Sequence, residues 1–331
     1  MSSETPSDIQ RALPPELLYH IIESVLPSNP RALIPPSHIS TKTLLSLTRV
    51  SRDTYKLASR LLRERCLYID TSQRLAQLLL CLPHSVPSLP LVLSLRNITS
   101  LYLAPFGDKL DDQPTAFWVR ELFCEICGTL RRLIVDMPFQ SLDPLDDHLD
   151  VRRTLREGFE RLDKLEEFVC LGDYPALSLH DAPTDVWGLW PDLKRMTIFG
   201  APVDNHWLWW YIASHHKLEH VILARPVNVE AGNIKEEYFH KLPRDDERLD
   251  RDIKITLLDA AFVWRGVKTS RWKEFDPKGR MIVELYDVPT SFYGDETPRE
   301  LVIAWVRRGA LNWGLWNWEG EVVKETPAQT A

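Results

Sequence analysis

The sequence predicts a two-part fold: a small all-helical head followed by an α/β solenoid body of repeated strand–helix units. Three observations predict it. An apolar–any–apolar triplet recurs after residue 65, as Leu67-Tyr-Ile69, Leu101-Tyr-Leu103, Leu133-Ile-Val135, Phe168-Val-Cys170, Met196-Thr-Ile198, Val221-Ile-Leu223, Ile255-Thr-Leu257 and Val283-Glu-Leu285. By subtraction these lie 34, 32, 35, 28, 25, 34 and 28 residues apart, and period-two alternation suits strands. Helix-patterned stretches lie between them, and one strand plus one helix per unit is the signature of a solenoid. All 12 tryptophans fall at or after Trp118, so the first third and the remainder differ in composition.

The head begins with "LPPELLYHIIESVL" (13–26). Leu17, Ile21 and Val25 repeat every four residues, with Leu18, Ile22 and Leu26 beside them, giving one wide apolar stripe on a helix. Pro14 and Pro15 stand where the first turn has no amide partner to lose, and Pro27 ends the segment. Residues 43–66 predict two short helices. Leu44, Leu45, Leu47 and Val50 form the apolar face of the first; Ser51 caps the second, whose Leu57, Ala58, Leu61 and Leu62 turn inward. Arg49, Arg52, Lys56, Arg60 and Arg63 make a basic stripe, read most simply as a solvated face. The intervening 27–42 carries Pro27, Pro30, Pro35 and Pro36 and is expected to be a stiff insert.

Leu13, Pro14, Glu16, Leu17, Leu18, Ile21, Ile22 and Leu26, then Leu44, Leu45, Leu47, Val50, Ser51, Arg52, Tyr55 and Ala58, together resemble an F-box, most of all the F-box-like proteins of filamentous fungi. The resemblance covers roughly residues 13–62 of a head expected to span 13–65. It implies a three-helix motif that docks on the Skp adaptor of a cullin–RING ubiquitin ligase. So small a unit leaves much of its apolar surface open. By resemblance the contact falls to Leu13, Pro14, Leu17, Leu44, Leu47 and Val50.

The body is expected over 66–325, with helices at 71–82, 114–127, 150–162 and 205–216; Thr71 or Ser72, and Asp150, are the expected caps of the first and third. Pro105, Pro138, Pro175, Pro202 and Pro226 end strands at turns. Four triplets share the lead Leu-x-x-apolar-x-apolar: "LRRLIV", "LEEFVC", "LKRMTI" and "LEHVIL". This pattern resembles an irregular leucine-rich repeat. The usual asparagine is replaced at Phe106, Pro138, Asp173, Ala201 and Pro226, so no buried asparagine ladder is expected. Residues 228–252 are densely charged and predict an exposed excursion. Thr297-Pro298-Arg299-Glu300 is a capping box that opens a last helix. With a strand at "LNWGLWNW" (311–318), that helix is expected to seal the open end of the solenoid. Residues 1–12 and 326–331 read as tails.

Signs of chemistry are few. Cys124-Glu-Ile-Cys127 has redox or zinc spacing, yet no second pair stands near, so the thiols read as small buried side chains. His216 and His220 are four apart but straddle a loop and a strand, which denies them a shared metal. The acidic run "DPLDDHLD" (143–150) lacks the central glycine of a calcium loop. The chain has no GxSxG, GxGxxG or GxxxxGK[ST]. No enzyme, metal or cofactor is therefore expected. Trp207, Trp209, Trp210, Trp313, Trp316 and Trp318 are candidate target-binding anchors, with core packing the competing role.

The net charge of -7 argues against binding nucleic acid through bulk charge. No run of about 18 apolar residues suggests a membrane span, and the polar start carries no export pattern. Five scattered cysteines then read as reduced thiols, the Asn97 sequon carries no weight, and a cytoplasmic or nuclear location is expected. The resemblance implies a substrate receptor of a Skp–cullin–F-box ligase, the head holding the adaptor and the body an unknown target protein. The rivals are a scaffold working outside any ligase, a nucleic-acid binder using the basic stripe, and an unrecognised enzyme.

Overall fold

The computed structural model describes residues 14–80, 98–142, 147–260, 266–290 and 294–325. Leu13, Cys81, Asn97, the tails 1–12 and 326–331 and positions 143–146 of the acidic run lie outside the described residues.

Helix α1 (Pro15–Ser24) starts directly after Pro14, whose backbone is extended. Its two apolar rows part company. Leu18, Ile22 and Leu26 turn into a small core with Leu44, Leu57, Ala58 and Leu61, whereas Leu17 and Ile21 face outward. Helix α2 (Ile39–Leu47) begins inside the expected insert, because the His38 ring accepts a hydrogen bond from the Ser40 amide at 3.1 Å. Helix α3 (Arg52–Arg65) opens on a capping box in which Ser51 and Thr54 satisfy each other's amides.

Nine strands form one open sheet in chain order: β1 (Tyr68–Ile69), β2 (Ser100–Leu103), β3 (Arg132–Asp136), β4 (Glu167–Leu171), β5 (Arg195–Phe199), β6 (His220–Ala224), β7 (Ile253–Asp259), β8 (Met281–Asp287) and β9 (Glu321–Val322). The first eight run parallel; β9 adds antiparallel to β8. Each triplet seen in the sequence contributes to one strand. Parallel strands covered on both faces read as unbroken apolar runs, and "LIV", "FVC" and "VIL" do so here.

The register shows why. Leu101, Leu133, Phe168, Met196, Val221, Ile255 and Val283 form one rung across β2–β8. They meet α4 (Ser72–Leu80), α5 (Gln113–Ile126), α6 (Val151–Phe159), α7 (His206–Ser214), α8 (Ile234–Phe239) and α9 (Trp272–Phe275) in a single core. No α-helix joins β4 to β5; a 3-10 turn at Val186–Leu189 stands there. The buried guanidiniums of Arg152 and Arg156 on α6 serve that irregular connection by donating to the carbonyls of Ala176, Ser178, Leu177 and Thr184. The opposite face carries Tyr102, Ile134, Val169 and Ile222. It is covered by α10 (Pro298–Leu311) through Val302, Val306 and Ala310.

Four expectations are corrected. The C-terminal helix does not seal an end of the solenoid: it lies over the sheet face, against β4 and β7. The predicted strand 311–318 is a left-handed Trp313 (φ 60°) followed by a 3-10 turn, Leu315–Asn317, and the edge strand is β9 instead. The charged stretch 228–252 is no loose excursion, since α8 buries Ile234, Lys235 and Tyr238, with Lys235 paired to Asp276 at 2.7 Å. Asp150 precedes α6 but is left-handed (φ 52°) and caps nothing; the Asp147 carboxylate accepts from the amides of Val151 and Arg152 at 2.8 and 2.9 Å.

Candidate functional site

The head presents an uncovered apolar surface. Leu17 and Ile21 of α1, Ile39 and Leu45 of α2, Val50 in the turn and Tyr55 of α3 are all exposed, Val50 at 69% and Leu17 at 50%. Six such side chains, about half open, are worth on the order of 5–9 kcal/mol if a partner covers them, before the costs of association. Of the positions that the resemblance selects, Pro14, Leu17 and Val50 are exposed, and Leu47 is half-buried. Leu44 is the correction: it is fully buried in the head core and offers nothing to a partner. Ile21, Ile39, Leu45 and Tyr55 were absent from that set. Ile21 was legible as the i+4 neighbour of Leu17, whereas Ile39 was hidden in the supposed insert. Arg49, Arg52, Lys56 and Arg60 are solvent-exposed, Arg60 beside Glu64 at 3.8 Å.

The head is tied to the body by its 27–36 segment. Ala32, Leu33 and Ile34 are buried, and Leu33 packs into the core beneath α10. Its amide donates to the Leu311 carbonyl at 2.7 Å, and the Ile34 amide donates to Arg65 at 2.7 Å. Asn29 Nδ2 donates to the Asn312 carbonyl at 2.7 Å. From the sheet, Arg132 of β3 donates to the carbonyls of Arg31 and Ala310. One arginine therefore holds the head segment, the sheet and the last helix together. Burial pulls its guanidinium down to about 10, against the opposing pull of Glu167.

After α10 the chain runs back along the strand starts. Trp313 donates its indole N–H to Glu167 at 3.0 Å, and Trp316 does so at 3.3 Å. The Trp318 carbonyl accepts from Lys254 Nζ at 3.0 Å, and the Gly320 amide donates to Glu284 at 3.1 Å. The row they follow is Arg132, Glu167, Arg195, His220 and Lys254, in register on five successive strands. Two of the three C-terminal tryptophans are thereby locked by hydrogen bonds, and the Trp318 ring stacks on Tyr286 at 5.1 Å. Trp316 is buried, so none of the three stands free as an anchor.

The α7 cluster divides differently. Trp209 is fully buried and donates to the Val203 carbonyl at 2.6 Å, which corrects its placement among anchors. Trp207 and Trp210 remain exposed, edge to face at 6.1 Å, with Tyr211 beneath them.

Among the described residues no group of three or more His, Cys, Asp or Glu is placed to hold a metal ion. Cys124 and Cys127 are partly buried, and the Cys127 thiol donates to the Cys124 carbonyl at 3.4 Å. His220 is buried against Trp316, whereas His216 and His206 are exposed. Among the described residues, no helix is long and apolar enough to cross a membrane. No family model matches the chain, and no curated protein matches it.

Proposed function

We propose that the chain is a substrate receptor of a Skp–cullin–F-box ubiquitin ligase, with an F-box-like head and an irregular leucine-rich-repeat-like body. The observation that carries the reading is the split of α1. One apolar row builds the head core while Leu17 and Ile21 stay open, as do Leu45 and Val50. A foreign subunit that covers this face accounts for its composition. The body would present a target to the ligase, acting by proximity and performing no covalent step. Because α10 fills one sheet face, we place target contact on the helical side, at Trp207 and Trp210.

Co-purification with the Skp adaptor tests the reading. The full chain retains the adaptor at micromolar concentration, and a Leu17→Asp, Val50→Asp double variant loses it. If the wild-type chain retains no adaptor, the ligase reading falls and a protein-binding scaffold outside any ligase replaces it.

A further inference from the structure

A cleft of about 830 Å³ opens where the head segment meets the strand starts. Its size lies within the range of small-ligand sites, roughly 300–1,000 Å³. Its charge is opposite to that of the whole chain. Arg31, Arg65, Arg131, Arg132, Lys194 and Arg195 line it, against Glu64, Glu166 and Glu167. That is six cations to three carboxylates, in a protein of net charge -7.

The imbalance is built into the pairing. Glu166 is shared between Lys194 at 2.7 Å and Arg131 at 3.8 Å. On the neighbouring register position Glu167 is shared between Arg195 at 2.7 Å and Arg132 at 3.5 Å. Each trio is one negative charge short. Arg65 spends its donors on the carbonyls of Ala32 and Asn29. Arg31 makes no ion pair among the described residues; its guanidinium carbon lies over the Trp313 ring, 4.3 Å from the centroid. A cation–π contact of this kind takes up none of the guanidinium's N–H donors.

We propose that this cleft binds a compact ligand carrying two neighbouring phosphate groups. Each phosphomonoester brings about -1.5 to -2 charges near neutral pH, so two of them offset the local excess of three. Arg31 supplies the planar fork that matches phosphate oxygens. Arg131 and Lys194, each with 40% of its side chain exposed, supply further positive charge. The convergence of head, sheet and C-terminal segment on one compact hollow favours such a ligand over an extended polyanion, which the chain's overall acidity repels. The inference does not depend on what the head binds.

Isothermal titration of the full chain with inorganic pyrophosphate, and separately with sulfate, tests it. Pyrophosphate is expected to bind one per chain and at least tenfold tighter than sulfate. Arg31→Glu, and independently the Arg131→Ala, Lys194→Ala double variant, should each weaken it at least tenfold; Lys278→Ala, outside this cleft, should not. If Arg31→Glu melts early, the double variant decides. ATP and a peptide with two adjacent phosphoserines then separate the sources. Binding of ATP alone identifies a free small molecule, and binding of the peptide alone a phosphorylated protein segment. Equal affinity for sulfate and pyrophosphate, or variants that titrate like wild type, would overturn the proposal.

Discussion

Arg132 and Glu167 face each other across β3 and β4 at 3.5 Å, their side chains only 6% and 10% exposed. Around this pair meet the Arg31 and Ala310 carbonyls on one side and the indole N–H groups of Trp313 and Trp316 on the other. Two charges taken from water need such a full set of partners, because an ion left alone there is costly.

Arg132→Met is therefore expected to lower stability by about 3–5 kcal/mol. The change strands two carbonyls and takes from Glu167 one of its two cations at once. Arg131→Met, one residue earlier and half-exposed, should change stability by no more than about 0.5 kcal/mol. Urea denaturation of the two variants checks the contrast, and equal losses would refute the assigned role.

His220 makes stability sensitive to mild acid. Its Nε2 lies 3.0 Å from Thr256 Oγ1, its ring packs against Trp316, and burial followed by the charges of Lys254 and Arg195 brings it down to about 3. The unfolded chain takes the proton near 6.5, long before the folded one does. This contribution is thus complete above 6.5 and declines as pH falls toward 3, with about 2 kcal/mol gone at pH 5. Burial lowers His215 as well, adding in the same direction. Melting curves at pH 7 and pH 5 should show the difference narrowed in His220→Asn.

On the proposed ligase reading, Leu44 and Leu17 separate packing from docking within one motif. Leu44→Ala removes a fully buried side chain and should cost about 2–5 kcal/mol. Leu17→Asp alters a half-exposed position and should leave stability within about 0.5 kcal/mol; under the proposed function it also abolishes adaptor retention. Chemical melts alongside adaptor capture distinguish them; a large stability loss in Leu17→Asp would show that α1 packs elsewhere.

Gly309 lets the last helix touch the segment that follows it. A methyl group there would run into the Trp318 indole and crowd the Leu315 backbone at 3.3 Å. Gly309→Ala is expected to cost about 1–3 kcal/mol and to speed proteolytic cleavage between Asn312 and Gly320. Unchanged cleavage would mean that the belt does not rely on this contact.

The strands were legible because both faces of the sheet are covered, which writes their interior as short apolar runs. Helix α8 was not, because Lys235 is buried with Asp276 as partner and its neighbours are charged; composition carries no hint of a pairing 41 residues away. The segment 311–318 was misjudged for a related reason. Alternating tryptophans mimic a strand, yet Trp313 is left-handed and its indole is spent on Glu167. Of the head surface, Leu17 and Val50 could be named from the motif, but separating Leu44 from its neighbours required knowing which row α3 covers.

Helix α10 covers strands that precede it by well over a hundred residues: Arg132 and Ala310 stand 178 apart in the chain, and Asn29 and Asn312 283 apart. At roughly 5–20 residues per second of translation, a nascent chain carries Tyr102, Ile134 and Val169 unshielded for about 7–40 s before their lid is synthesised. A polypeptide interrupted before Pro298 would keep that greasy sheet bare for good, making a truncation there an aggregation hazard instead of a minor trimming.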